Sequence, residues 1–438
     1  MAERQESADN LSAAETAASV LYGTGGRPRG FVTEAGQRMR DQVIELIPLL
    51  RDQAAEAERS GALTDETAAA LSKAGVFDIA TPVEFGGYAL GARDMVEVLA
   101  AVGRGDGSAS WVASAASGNH VMVLAYPQQA IDEVFADSKG WIGPLVAGAS
   151  LFGTRVGKAR KVDGGWAVRG KWEYGSGSKH AAWSLVGVQA DAGDGVPARA
   201  QVILSRDQYR ILDDWHVMGM AATSTNTLVV DEELFVPGHR FLRMADLPQR
   251  MDELRSKYQG AGFLWGPQAR VLAVTLATAA NALGMARGAL ECFADQAGRR
   301  KPFNLPYPTI ADAASTQVTA GRARAALNVA QATIERHADA VDERSLCGED
   351  FSEQEATEYH MDLIFAIRLC ADATDALQIT LGTSTVSLSN PIQRFARDLR
   401  VLSTHGAVRF DPMAEINGRD ILGLEQFRMF AGGLPNVG

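Results

Sequence analysis

The reading of this chain turns on Ala159-Arg160-Lys161-Val162-Asp163-Gly164-Gly165-Trp166-Ala167-Val168-Arg169. Two short runs of alternating character flank an Asp-Gly-Gly turn, the pattern of a β-hairpin. Further β-branched or alternating runs follow at 184–190, 200–204 and 227–235, with a loop-like stretch at 191–197. Several short strands in so few residues predict a small β-barrel or sandwich. On both sides the periodicity is helical. Before the strands, Thr64 caps a helix opening with Asp65 and Glu66 and ending near Gly75, and small and apolar residues crowd 95–102 and 109–124. After them, 271–296 is rich in Ala and Leu and stops at Gly298. Stretches at 311–340 and 391–403 are further helices. Ser352 with Glu355 forms a capping box for one that reaches about Leu381. Four such helices predict a bundle.

The expected organisation is therefore mainly α with a central β domain. Residues 1–30 form a flexible tail or a short helix around 13–21, 31–141 an N-terminal helical domain, 142–245 the β domain, and 246–438 a C-terminal helical bundle and tail. The 438 residues carry 42 Lys plus Arg against 53 Asp plus Glu, a net charge of −11, which argues against nucleic acid or an anionic membrane surface as partner. No uninterrupted apolar run approaches the roughly 18 residues that span a bilayer. Cys292, Cys347 and Cys370 are widely spaced and form no Cys/His cluster, so neither a metal site nor a disulfide framework is expected, and a cytoplasmic setting suits them.

Four local motifs stand in a telling order: Pro82-Val-Glu-Phe-Gly86-Gly87, then Gly105-Asp106-Gly107-Ser108-Ala109-Ser110, then Gly219-Met220-Ala-Ala-Thr223-Ser224-Thr225 before a strand ending Phe235-Val236-Pro237, and Arg397-Asp398-Leu399-Arg400 near the end. Together they resemble the acyl-CoA dehydrogenase superfamily over residues 35–425. The resemblance implies an acyl-CoA dehydrogenase-like fold with a flavin in a cleft between the β domain and the helices, in a homotetramer. One departure is instructive. Where the dehydrogenases carry a glutamate base followed by glycine, this chain has His405-Gly406. A carboxylate suits removal of an α-proton from a thioester, whereas histidine, with an ordinary pKa of about 6.5, suits a phenol-like or amine proton.

A second departure, Gly170-Lys171-Trp172-Glu173-Tyr174-Gly175-Ser176-Gly177 followed by His180-Ala-Ala-Trp183, resembles the two-component flavin monooxygenases that share the dehydrogenase fold, a group that includes hydroxyphenylacetate hydroxylase and dibenzothiophene monooxygenase. The resemblance implies that Ser176 contacts flavin N5 and that His120, in Ser117-Gly118-Asn119-His120, faces the flavin from a helix. It makes His120, Ser176 and His405 the catalytic set. Trp141, Gly143, Thr223 and Thr225 join Ser176 as expected cofactor contacts, and Arg299 and Phe303 complete them across a subunit boundary. Trp215, with His120 and His405, is expected to meet the substrate. The implied activity uses reduced FAD or FMN from a separate NAD(P)H:flavin reductase, with O2, through a C4a-hydroperoxyflavin, to hydroxylate an aromatic or polycyclic small molecule.

Physical chemistry supports that division of labour. A flavin hydroperoxide loses peroxide unless N5 is hydrogen-bonded and water is kept out, which a hydroxyl and a wall of Trp111, Trp141 and Trp215 would provide. No Gly-x-Gly-x-x-Gly fingerprint for NAD(P)H stands at a strand-to-helix turn. Each residue also has a plainer reading. His405 is a helix-end residue, His120 a core histidine, Ser176 a turn, Arg299 a charge at a helix C-terminus, and Arg397-Asp398 a structural ion pair. His337 and His360 are expected to face solvent or an interface. The alternatives are N- or S-oxygenation, an acyl-CoA dehydrogenase with Glu415 as its carboxylate, and a non-catalytic helical binding protein.

Overall fold

The computed structural model describes residues 31–136, 157–191 and 198–425. The expected tail 1–30 and the loop 192–197 lie outside them, as do Trp141 and Gly143.

Among the described residues five helices precede the strands: α1 (Glu34–Ser60), α2 (Asp65–Lys73), α3 (Ala92–Gly105), α4 (Gly107–Val123) and α5 (Gln128–Ala136). In α1 the buried Met39, Val43, Ile47, Leu50, Ala54 and Ala57 recur every three or four residues, one face of an amphipathic helix. Thr64 caps α2 by accepting from the Thr67 N–H.

The strands are β1 (Gly157–Val162), β2 (Gly165–Gly175), β3 (Trp183–Asp191), β4 (Ala198–Ser205), β5 (Arg210–Ile211), β6 (Asn226–Pro237) and β7 (Phe241–Arg243). The β1–β2 hairpin turns at Gly164, whose φ of +71° suits glycine. The expected barrel or sandwich takes the form of one seven-stranded mixed sheet, ordered β5-β6-β2-β1-β3-β4-β7, in which β1 and β3 run parallel and the other pairs antiparallel. Alternation places Val186 and Val188 in one cluster with the wholly buried Trp172, and Trp183 and Leu185 in another with α5.

Six helices follow among the described residues: α6 (Leu247–Lys257), α7 (Pro267–Ala297), α8 (Ala314–Leu346), α9 (Glu353–Leu381), α10 (Pro391–Leu402) and α11 (Phe410–Ile421). The Ser352–Glu355 capping box opens α9. Helices from before and after the sheet share one core, in which Leu99 and Val102 of α3 join Leu276 and Leu283 of α7. Gly284 lets α7 approach α3, for a Cβ there would stand 2.3 Å from the Ala100 carbonyl oxygen. By length and composition α7 could cross a membrane, yet 83% of its most apolar window is buried inside the protein.

Two helix N-termini lack caps of their own and borrow them. Asp342 of α8 accepts the Ala92 and Arg93 N–H groups of α3, each at 2.8 Å, and Asp350 accepts those of Gln268 and Ala269 at 3.0 Å. Expectation and structure part over two histidines. His337 and His360 are not at the surface but buried where helices pack. His337 Nε2 lies 3.0 Å from Asp362 and its ring stacks on Tyr359, while His360 Nδ1 lies 2.9 Å from the Thr275 hydroxyl. Partners supplied by neighbouring turns and helices let the polar rings go inside.

Candidate active site

Chain conformation is strained where β2 ends. Among the described residues five non-glycine positions have positive φ, and three of them, Tyr174, Met220 and Ser224, flank the same patch. Such strain persists only where its surroundings impose it. Hydrogen bonds stitch the two segments together, from the Gly177 N–H to the Thr223 carbonyl at 2.8 Å and from the Ser178 hydroxyl to the Ser224 carbonyl at 2.6 Å.

Between the segments lies a file of buried hydroxyls. Ser176 Oγ stands 3.0 Å from Thr225 Oγ1, which stands 2.6 Å from Thr223 Oγ1, which donates to the Met220 carbonyl at 2.7 Å. Trp111 of α4 donates its indole N–H to Ser176 Oγ at 3.1 Å. The ring of His405, in the turn after α10, meets Trp111 edge to face with centroids 5.1 Å apart. Residues far apart in sequence thus converge on one indole. His405 is solvent-accessible, yet partial desolvation holds its pKa below the usual 6.5. Its Nδ1 accepts the Ala407 N–H at 3.4 Å, which directs the proton of the neutral ring to Nε2.

Helix α10 anchors this loop. The buried Asp398 carboxyl accepts the Met220 N–H at 2.5 Å. Burial, and then the nearby Asp106, push its pKa up to about 7. The expected Arg397–Asp398 ion pair does not form. Arg397 reaches Glu58 at 2.5 Å and the Met218 carbonyl, so the two neighbours fasten the helix in two directions. Trp215 donates to the Met220 carbonyl at 3.1 Å and turns its ring edge to the exposed Tyr174, so it buttresses the loop.

His120 lies elsewhere on α4. Nine residues from Trp111 is two and a half turns, which puts the two side chains on opposite faces and roughly 13 Å apart along the axis. His120 is buried, and desolvation takes its pKa down to about 4. Its Nδ1 is 2.6 Å from Thr81 Oγ1, which donates to Asp78 Oδ1 at 3.2 Å. With the threonine hydrogen committed to the carboxylate, the short contact is an Nδ1–H donation to Thr81 Oγ1, and Nε2 carries the free lone pair. The ring meets Phe135, which stacks on Phe85, which meets Tyr258 in turn. In the same cluster, Tyr126 Oη, Tyr258 Oη and Trp183 Nε1 are buried with no hydrogen-bond partner among the described residues.

Arg299 and Phe303 stand apart from both places in this single chain. Arg299 pairs with Asp295, and Phe303 projects with 89% of its surface exposed. Glu415 is exposed on α11. Among the described residues no group of three or more His, Cys, Asp or Glu could hold a metal ion. No local motif announces the Asp78–Thr81 pair behind His120 or the Asp398 tether, although Thr81 adjoins the Pro82 motif and Asp398 lies within Arg397-Asp398-Leu399-Arg400. Trp111, expected only as part of a wall, also makes the bond to Ser176.

Known proteins share this fold. Residues 33–133 match the family "Acyl-CoA dehydrogenase, N-terminal domain" and residues 276–410 match "Acyl-CoA dehydrogenase, C-terminal domain". A pigment production hydroxylase of a Rhodococcus species is 30% identical over 88% of this chain and 96% of its own length. The oxygenase component of an FADH2-dependent resorcinol hydroxylase from a Rhizobium species is 28% identical over 91% of this chain and 97% of its own. The solved structure of XiaF from a Streptomyces species, in complex with FADH2 and glycerol, superposes with a TM-score of 0.82 at 25% identity, covering 90% of this chain and 98% of that one. The chain thus belongs to the acyl-CoA dehydrogenase superfamily, among its flavin-dependent monooxygenase oxygenase components.

Proposed function

We propose that this protein hydroxylates a phenolic or polycyclic aromatic small molecule, using O2 and reduced FAD or FMN delivered by a separate NAD(P)H:flavin reductase. The observation that carries the reading is Ser176 Oγ, held beside an indole at the edge of a strained loop, where a flavin ring nitrogen needs a polar neighbour. The residues present fit a flavin. Ser176 offers that neighbour, and Trp111, Trp215 and Tyr174 offer aromatic surface around it. Thr223 and Thr225 support Ser176 from below. When bound, reduced flavin supplies the two electrons that activate O2.

The rest is done by the chain. Trp111 and the packed loop exclude water from the ring nitrogen side. His405 orients the substrate through Nε2–H, and His120 accepts a proton at Nε2. With a pKa of about 4, His120 stays neutral at physiological pH. It does not ionise a resting phenol, whose pKa is about 10. It accepts the phenolic proton only as oxygen transfer makes the ring electron-poor, which is when a base accelerates reaction.

The same reading takes 31–141, 142–245 and 246–438 as structural units. It takes the oligomer to be a tetramer, since Ile379, Leu388, Ile421 and Phe303 each expose 70% or more of an apolar side chain. Arg299 and Phe303 would then complete the flavin site of a neighbouring subunit. Three unpaired cysteines suit a reducing cytoplasm.

The decisive test supplies the protein with reduced flavin, isotopically labelled O2 and a panel of phenols. One labelled oxygen atom in the product supports the reading. Flavin bleaching by an acyl-CoA, with no labelled product, would replace it with the dehydrogenase alternative. Label in an amine or sulfide oxide would move it to heteroatom oxygenation.

A further inference from the structure

Four hydrogen bonds in the Ser176 cluster fix the direction of every hydroxyl hydrogen in it. The Met220 carbonyl has no hydrogen to give, so Thr223 is the donor in their 2.7 Å contact. With that hydrogen spent, Thr223 accepts in its 2.6 Å contact with Thr225, and Thr225 donates. Thr225 then has no hydrogen left for its 3.0 Å contact with Ser176, so Ser176 donates to Thr225. The Trp111 indole only donates, so Ser176 accepts from it. Ser176 Oγ is left with one lone pair and no hydrogen for anything else. All three hydroxyl-bearing residues are at least 93% buried, with Thr223 at 1%, Ser176 at 7% and Thr225 at 7% exposure, so water does not readily reverse the file.

We propose that the Thr225–Thr223–Met220 carbonyl file makes Ser176 an obligate acceptor, and that this polarity selects the reduced flavin over the oxidised one. The inference rests on the flavin reading above. Reduced flavin carries a hydrogen on N5 and donates. Oxidised flavin has a bare lone pair there and requires a donor. An acceptor-only Ser176 therefore makes a hydrogen bond to one redox state and sets two lone pairs against each other in the other. Thr225 and Thr223 act as positioning residues: they touch Ser176 or each other and decide which way its hydrogen points. For an enzyme fed with reduced flavin by diffusion, the consequence is practical. Oxidised flavin, released after turnover, competes poorly for the site.

The test is equilibrium binding, without turnover. FAD and FMN are titrated in oxidised form in air and in reduced form without oxygen, against the wild type, Thr225→Val, Thr225→Ser and Thr223→Val. The wild type is expected to prefer reduced flavin by about tenfold or more, the scale of one buried hydrogen bond made or opposed. Thr225→Val keeps the shape and removes the acceptor. Ser176 then regains a free hydrogen, and the preference falls by about fivefold to tenfold, chiefly through tighter binding of oxidised flavin. Thr225→Ser keeps the preference. Thr223→Val removes the acceptor for Thr225, whose hydrogen turns back to Ser176, so the preference falls here too. Should Thr225→Val not fold, Thr223→Val carries the same test.

An unchanged preference in a folded Thr225→Val or Thr223→Val overturns the inference, even if Ser176→Ala shows that Ser176 touches the flavin. A wild type that binds neither redox state overturns the flavin reading itself, a result distinct from the first.

Discussion

The neighbourhoods of Ser176 and His120 are both buried and both polar, yet they treat hydrogen bonds in opposite ways. Around Ser176 every hydroxyl hydrogen has a destination, and a carboxyl on α10 holds the loop from behind. Around His120 one side of the imidazole is committed, to Thr81, while two tyrosine hydroxyls and an indole N–H in the same aromatic cluster lack partners among the described residues. A fully satisfied network is rigid and presents one fixed pattern. Buried groups without partners cost free energy until something supplies the bond. The contrast suits a cofactor that never varies in the first place and a phenolic substrate in the second.

Removing the imidazole should break the contrast most visibly. His120→Ala is expected to lower product formation by about a hundredfold, the lower end of general-base effects, with reduced-flavin affinity within about twofold of wild type. Quantified hydroxylated product and anaerobic flavin titration check the two halves. A parallel loss of both would place His120 at the flavin instead. For His405→Ala a smaller fall is expected, about tenfold in product yield per flavin oxidised, because an orienting donor is lost but no proton acceptor.

Asp398 sharpens the comparison through pH. Its pKa in the folded protein is pushed up to about 7, against about 4 for an aspartate in the unfolded chain. The folded state therefore binds the proton more tightly, so this group's contribution to stability is fully present below pH 4 and is lost as pH rises through 7. Asp398→Asn keeps an acceptor for the Met220 N–H and removes the titration. Between pH 5 and pH 8 the wild type should lose on the order of 2 kcal/mol relative to the variant. Thermal melts across that range would show it, and parallel curves would mean the Asp398 environment is more solvated than its burial implies. The smallest effect is expected from Tyr258→Phe. It removes one unpartnered hydroxyl, so it should weaken substrate binding about fivefold and leave flavin binding and melting temperature nearly unchanged.

How much of this could be read beforehand depends on where each partner sits along the chain. Ser176, Thr223 and Thr225 stand in Gly175-Ser176-Gly177 and Met220-Ala-Ala-Thr223-Ser224-Thr225, local patterns on which the family resemblance rests. The capping box at Ser352 and the Thr64 cap are local patterns too. The bond from Trp111 to Ser176 joins residues 65 positions apart, and that from Asp398 to Met220 spans 178, so no local pattern announces either. Polarity does not imply exposure for His337 and His360, because Asp362 and Thr275 each give one ring nitrogen a partner inside. Helix α6 was not foreseen because Leu247–Lys257 buries only Leu254 and shows almost no apolar stripe. The substitution at His405 was readable as a departure from a glutamate, but its edge-on contact with Trp111 was not.

A crossed pair of binding titrations tests the division between the two neighbourhoods most directly. Ser176→Ala and His120→Ala are each titrated with reduced flavin and, in a flavin-loaded state without oxygen, with a phenolic ligand. The expected result is a crossover: Ser176→Ala weakens flavin about tenfold and spares the phenol, while His120→Ala weakens the phenol and spares the flavin. If both variants weaken both ligands equally, the two neighbourhoods are one site and the assignment of roles is wrong.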